Sequence, residues 1–403
     1  MRARNVKYYF MQGITALLAL SCVEEIELQD ELKFEDAIVI EATLTNEMKK
    51  HRILISRTYE FDEEGPQPEI QATVRVETGG QTYRFIEEEQ PGVYLSENLF
   101  KAEAGVDYQL FVETQDGRSY TTDKTRLTKP SQIDNAYPQR QVNSIGNEIL
   151  SIFVESFDPT RQSNYYRYEY EETYKIIAPF WVPEEFIILE DEFGNELATP
   201  GFVPRPIEER VCYNTVASND IIQTSTTDLD EDRVTGFSVR NIRVDDPVIS
   251  HRYSILIRQY VQSLEAYTYY DLLNQLSGEG NVLAQIQPGF INSNIVSATN
   301  RNEKVLGFFE VASVTEKRIF FTYEDLFPGE DLPPYFISCR TTAPLIATEA
   351  GTPLKDGIQA GLIEYYLDNV EAGPNEGPYL VVPTPCGVCT ELGQSEVPDF
   401  WED

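Results

Sequence analysis

Apolar and polar positions alternate along most of this chain with the two-residue period of half-buried β-strands. AIVIEATLT at 37–45 and HRILISRTY at 51–59 are strand-length runs rich in β-branched residues. In ATVRVETGGQTYRFI the alternation breaks at Gly79-Gly80, which predicts a hairpin turn with positive φ. GVYLSENLF and VDYQLFVETQDGRSYTT follow, and Asp116-Gly117 marks a second hairpin. About seven short strands with turn chemistry between them predict an immunoglobulin-like or transthyretin-like sandwich over residues 35–129. Tyr108 stands where such sandwiches use a corner tyrosine; a plain core aromatic is the alternative.

Residues 124–142 interrupt the alternation and contain Pro130 and Pro138, so a linker is expected at 130–142. Beyond it, residues 143–403 read as a larger β-rich domain with runs such as EILSIFVESF, YYRYEYEETYKII, YSILIRQYV and KVLGFFEVAS. Residues 178–235, rich in prolines and acids, suggest long loops on that scaffold. Ser263 is a suitable N-cap, and Ala266, Tyr269, Tyr270, Leu273 and Leu276 recur at helical spacing, predicting a helix near 264–277. A helix set among strands without alternating with them predicts a mainly β protein with one helical insertion.

The first residues follow a different pattern. Arg2, Arg4 and Lys7 precede a largely apolar stretch, Tyr8 to Leu20, which ends at Ser21-Cys22. This is the plan of a signal peptide over residues 1–21, and the stretch is shorter than the roughly 20 residues of a membrane-spanning helix. Ala19-Leu20-Ser21-Cys22 resembles the bacterial lipoprotein box. The resemblance implies that Cys22 becomes the lipidated N-terminus, and acyl chains contribute about 0.8 kcal/mol per buried CH₂ to an anchor. Glu24, Glu25 and Glu27, in an acidic tether over 22–34, resemble the signal that sends such lipoproteins to the outer face of the outer membrane. The expected location is the outer membrane, lipid-anchored and exposed at the cell surface.

Charge then narrows the partners. The chain carries a formal charge of −35, and removing residues 1–21 takes away three positive charges, leaving −38 on 382 residues. Such a body repels polyanions, so nucleic acid is excluded as a partner. Apart from Cys22 the cysteines are Cys212, Cys339, Cys386 and Cys389. An even number in an exported chain predicts two disulfides, with three pairings open. Cys386-Gly-Val-Cys389 also has the spacing of redox motifs and half a zinc site, but Pro383 and Pro385 place it in an extended segment without a βαβ context.

Candidate chemistry is sparse. His51 and His251 each precede an arginine at the start of a strand-like run, which suggests structural roles. There is no Gly-x-Ser-x-Gly elbow, phosphate-cradling glycine loop or His-Glu-x-x-His helix in the sequence. No catalytic residue and no cofactor are expected beyond the lipid on Cys22. Asp228, Asp230 and Asp232 are the best cluster of hard oxygen ligands and a weak calcium candidate, with a solvated acidic loop the commoner reading. Tyr166, Tyr168 and Tyr170 share one face of a strand; they are a weak candidate for stacking a sugar or peptide, and more often such a row is core.

Several local patterns occur in a specific order: Arg252-Tyr253-Ser254-Ile255-Leu256, Glu265-Ala266-Tyr267, Gln287-Pro288 with Asn294-Ile295, Val305-Leu306-Gly307-Phe308-Phe309, and Cys386 to Cys389 with Pro398-Asp-Phe-Trp401. Together they resemble an uncharacterised family of Bacteroidota outer-membrane lipoproteins, domain of unknown function 4249. The resemblance implies a cell-surface lipoprotein encoded near TonB-dependent transporters and supplies no activity. The functional expectation is a non-enzymatic accessory or capping partner of an outer-membrane β-barrel transporter in nutrient uptake. The alternatives are a surface subunit of an outer-membrane assembly or secretion machine, an adhesin, or a carboxylate-dependent extracellular hydrolase.

Overall fold

The computed structural model describes residues 36–59, 65–205, 207–277 and 293–402. Nine strands form first: β1 (Ile38–Thr45), β2 (Arg52–Arg57), β3 (Gln67–Pro68), β4 (Thr73–Glu77), β5 (Thr82–Glu87), β6 (Val93–Ser96), β7 (Asp107–Glu113), β8 (Ser119–Thr122) and β9 (Thr125–Arg126). Their alternation is the cause of their packing: Ile38, Ile40, Ala42 and Leu44 of β1 point into one core with Ile53, Ile55, Val74 and Leu110. Tyr108 is fully buried and its hydroxyl accepts the Glu103 N–H at 2.8 Å, the link of a tyrosine corner. Asp116-Gly117 turns β7 into β8 with Gly117 at φ +86°. Gly79-Gly80 also closes a hairpin, between β4 and β5, but neither glycine occupies the expected left-handed region. The Thr78 N–H donates to the Gln81 carbonyl at 2.8 Å, and the Thr78 hydroxyl meets Gln81 as well, so flanking residues close this turn.

The rest of the chain adds β10 (Ile133–Val142), β11 (Glu148–Phe157), β12 (Tyr165–Ile177), β13 (Glu184–Ile187), β14 (Gly201–Pro204), β15 (Val211–Ala217), β16 (Ile222–Ser225), β17 (Arg233–Arg243) and β18 (Tyr253–Val261). Helix α1 (Leu264–Ser277) is followed by β19 (Ile295–Ser297), β20 (Val305–Phe321), α2 (Tyr323–Leu326), α3 (Pro353–Gln359), β21 (Ile363–Asp368), β22 (Tyr379–Pro383) and α4 (Thr384–Gly387). Helix α1 lies where its pattern predicts it, with the Ser263 hydroxyl accepting the Ala266 N–H at 3.1 Å. The segment expected as a linker, 130–142, instead carries β10, antiparallel to β11. It is the edge of the three-stranded sheet β10-β11-β17, and an edge strand tolerates Pro138 because one side of its backbone has no ladder to break.

One strand joins the halves. The 17 residues of β20 pair in parallel with β1 through residues 305–312 and antiparallel with β18 through 313–321. A single ribbon therefore runs β15-β12-β18-β20-β1-β2-β6-β5-β4-β7-β8-β19. Its sandwich end curls until β19 returns to β20, where the Asn294 amide exchanges two hydrogen bonds with the Phe309 backbone, at 2.8 and 2.9 Å. The sandwich thus takes its closing strands from residues far beyond position 129.

A second core lies between β12 and β18 on one side and β10, β11 and β17 on the other, with Tyr168 stacked on Phe237 at 5.4 Å. Disulfides Cys212–Cys389 and Cys339–Cys386 tie the last part of the chain to this lobe and to itself. Among the described residues no helix is long and apolar enough to cross a membrane.

Candidate functional site

The face of β1, β2 and β20 that looks away from the sandwich core is where the site forms. Strand register sets Glu41 between Leu54 and Phe308, and Thr43 beside Glu310. In an isolated sandwich this face would meet water. Here α1 covers part of it, with Ala266 and Tyr269 packed on Phe308 and the two rings 5.1 Å apart. From the other lobe, β12 brings Arg167 and Glu169, and β18 brings Arg258 and Tyr260. Between them lies a cleft of about 610 Å³, with Ser218 to Ile221 also in its lining.

Five basic side chains and three acidic ones line this cleft, although the chain as a whole carries −35. Arg167 is 7% exposed and Glu310 2%, and they pair at 3.2 Å. The same guanidinium meets Glu169 and lies over Tyr260 and Tyr270, at 4.4 and 4.9 Å from the ring centres. Burial works against the Arg167 charge, but Glu310, Tyr270 and Glu169 outweigh it and raise its pKa. Burial pushes the Glu310 carboxyl up against the opposing pull of Arg167. Arg167 Nε and Glu310 Oε1 are buried without a hydrogen-bond partner among the described residues. Arg258 is held by Glu47 at 3.0 Å, and Lys49 by the same carboxylate at 2.5 Å. Lys50 and Arg52 are exposed and form no ion pair with a described residue.

The residues singled out in the sequence have other fates. Cys22, Glu24, Glu25 and Glu27 lie outside the described residues, as do Gln287 and Pro288. Tyr166, Tyr168 and Tyr170 are core residues, which removes them as a stacking platform. The Tyr166 hydroxyl donates to Asp232 at 2.9 Å and that of Tyr168 to Gln259 at 3.1 Å. Asp232 is buried under Tyr166, Thr226 and Ser163, whereas Asp228 and Asp230 are exposed, so the three do not converge on a cation. No group of three or more His, Cys, Asp or Glu placed to hold a metal occurs among the described residues. Cys386 and Cys389 take different partners, so their close spacing is neither a redox pair nor half a zinc site. His51 is fully buried, with Nε2 3.0 Å from the Phe100 carbonyl and its ring 4.4 Å from that of Phe100. Burial lowers its pKa to about 4, and burial also lowers that of half-buried His251.

The cleft residues escaped the sequence reading. Arg167 and Glu169 lie on the opposite face of the tyrosine row in β12, in the same Tyr-Arg-Tyr-Glu-Tyr alternation. Glu310, a lone charge inside GFFEVAS, was the other available signal, since a charge in a run buried on both faces needs a partner.

A family model described as domain of unknown function (DUF4249) matches residues 23–318, which includes both lobes and most of β20. The chain belongs to the DUF4249 family. Of the local patterns that suggested it, those among the described residues include structural positions of this DUF4249 chain. Gly307 lies against Ile40, Asn294 closes the sandwich, and Tyr253 donates to buried Glu172 at 2.5 Å. Outside the match, Trp401 packs on Tyr213 at 4.8 Å, and Arg318 lies 3.6 Å over the Phe400 ring. No curated protein matches the chain. Among solved structures, the B domain of a biofilm associated protein aligns at 8% identity over 73% of this chain and 90% of that chain, with a TM-score of 0.13. A biofilm associated protein BSP domain aligns at 8% identity over 86% and 76%, with a TM-score of 0.15. Scores this low carry no argument about fold or function.

Proposed function

We propose that this DUF4249 protein is an exported lipoprotein, anchored to the outer membrane through Cys22 with its body at the cell surface. In this reading it works without catalysis, as an accessory or capping partner of a TonB-dependent β-barrel transporter in nutrient uptake. The observation that carries the reading is the cysteine economy: all four described cysteines are paired in disulfides, which suits an oxidising exterior, and Cys22 remains for lipid. Two further features support it. His51 is committed to Phe100 inside the sandwich, away from any nucleophile-activating role. Hairpins β13–β14 and β21–β22, packed through Phe186, Phe202, Tyr365 and Tyr379, belong to a region that leaves Phe193, Leu362 and Val370 exposed, apolar side chains that a partner protein would cover.

The test is affinity capture of the native chain from its own membranes in mild detergent. A β-barrel transporter should co-purify, and Cys22→Ala should move the chain to the soluble fraction. Recovery without a barrel protein under several extraction conditions overturns the partner; membrane retention of the Cys22 variant overturns the anchor.

A further inference from the structure

We infer that the interlobe cleft binds a short acidic saccharide. The inference rests on the reading of the chain as a binding module and names what it binds.

Charge supplies the first half of the argument. Within this cleft Lys49, Arg167 and Arg258 each have a carboxylate partner. Lys50 and Arg52, flanking buried His51, do not, and both line the cleft. Two exposed cations without a partner carboxylate on the cleft wall suit a ligand carboxylate, which forms charge-assisted hydrogen bonds with them.

The remaining lining excludes a bare anion. Glu41, Glu169 and Asp220 face the same space and would repel inorganic phosphate or a small polyacid. A ligand rich in hydroxyls turns these carboxylates and Asn219 from liabilities into acceptors. Tyr269, Tyr270, Leu273 and Phe308 add an apolar wall for the C–H faces of a sugar ring. A volume of about 610 Å³ falls in the range of small-molecule sites and has room for two or three rings. A carboxylate, many hydroxyls and flat C–H faces in one small molecule describe a uronic-acid oligosaccharide.

The experiment is calorimetric titration of the full lipidated chain in detergent with trigalacturonate, trimannuronate and a hyaluronate tetrasaccharide, beside maltotriose and citrate. At least one acidic oligosaccharide should bind, about tenfold or more tighter than both controls and more weakly as salt rises. Lys50→Glu with Arg52→Glu should weaken it by about tenfold or more, and Leu273→Trp should block it sterically while the melting temperature stays near that of the parent. Binding by none of the three, equal binding of citrate or maltotriose, or indifference to both variants overturns the site. Turnover of a bound saccharide would keep the site and overturn the non-catalytic reading. Loss of saccharide binding with a barrel protein still co-purifying would overturn only the site.

Discussion

Gly307 shows how one backbone position can set a strand pairing and dock a helix at once. It sits at φ +93°, and a Cβ there would lie 2.0 Å from the Ile40 carbonyl oxygen of the neighbouring strand. Its N–H donates to the Tyr269 hydroxyl at 3.1 Å, so the same residue also docks helix α1. Gly307→Ala is expected to cost at least about 2 kcal/mol, read as a lower urea midpoint, because it adds conformational strain to a backbone clash. His51 gives a pH dependence of known sign. Its folded pKa, about 4, lies below the ordinary value of 6.5, so as pH falls the unfolded chain takes up the proton first. Its contribution to stability is full above about pH 6.5 and is lost between there and pH 4. His51→Gln, which does not titrate, should flatten the slope of melting temperature against pH in that window relative to the parent. An equal slope in both proteins would show that other groups set it.

At the scale of elements, β20 and its neighbours carry the architecture. Helix α1 and most strands were legible from periodicity, since a two-residue or 3.6-residue apolar pattern directly states which face is buried. What β20 does was not legible. KVLGFFEVAS reads as a strand of its own, yet it is only the first part of one strand that changes partner, and sense of pairing, near Ser313. Pairing partners distant in sequence leave no local mark. Asn294 stands in for a missing strand neighbour by pairing both Phe309 backbone groups. Asn294→Ala should strand those groups and cost about 1–3 kcal/mol, with faster hydrogen exchange at the Phe309 amide as the specific readout. Unchanged exchange there would mean that water replaces the side chain at little cost. β10 teaches the converse, because Pro130 and Pro138 suggested a linker where the chain needed an edge strand.

For the whole molecule, the buried Arg167–Glu310 pair is the electrostatic counterpart of β20, since Arg167 comes from β12 of one lobe and Glu310 from the sandwich half of the joining strand. Removing one partner leaves the other buried and uncompensated. Arg167→Met is therefore expected to cost about 3–5 kcal/mol, and Arg167→Met with Glu310→Leu to recover most of it. A double variant as unstable as the single would assign the loss to the Tyr260 and Tyr270 rings that clasp the guanidinium.

The sequence alone was enough for the β class, the helix, the sandwich strands and two disulfides among four cysteines, because each follows from local periodicity, turn chemistry or counting; it left Tyr108 as a corner tyrosine or a core aromatic, and the Glu103 hydrogen bond made it a corner. The sequence carried the family resemblance for the same reason, in ordered short patterns around Tyr253, Asn294 and Gly307. The folded chain was needed to show which cysteines pair, that Tyr166, Tyr168 and Tyr170 are core, that Asp232 is buried apart from Asp228 and Asp230, and that a cleft lined by cations lies between the lobes. Those properties depend on which surfaces meet. Lys50, Arg167 and Tyr270 lie far apart along the chain and share one space only because β20 draws the lobes together.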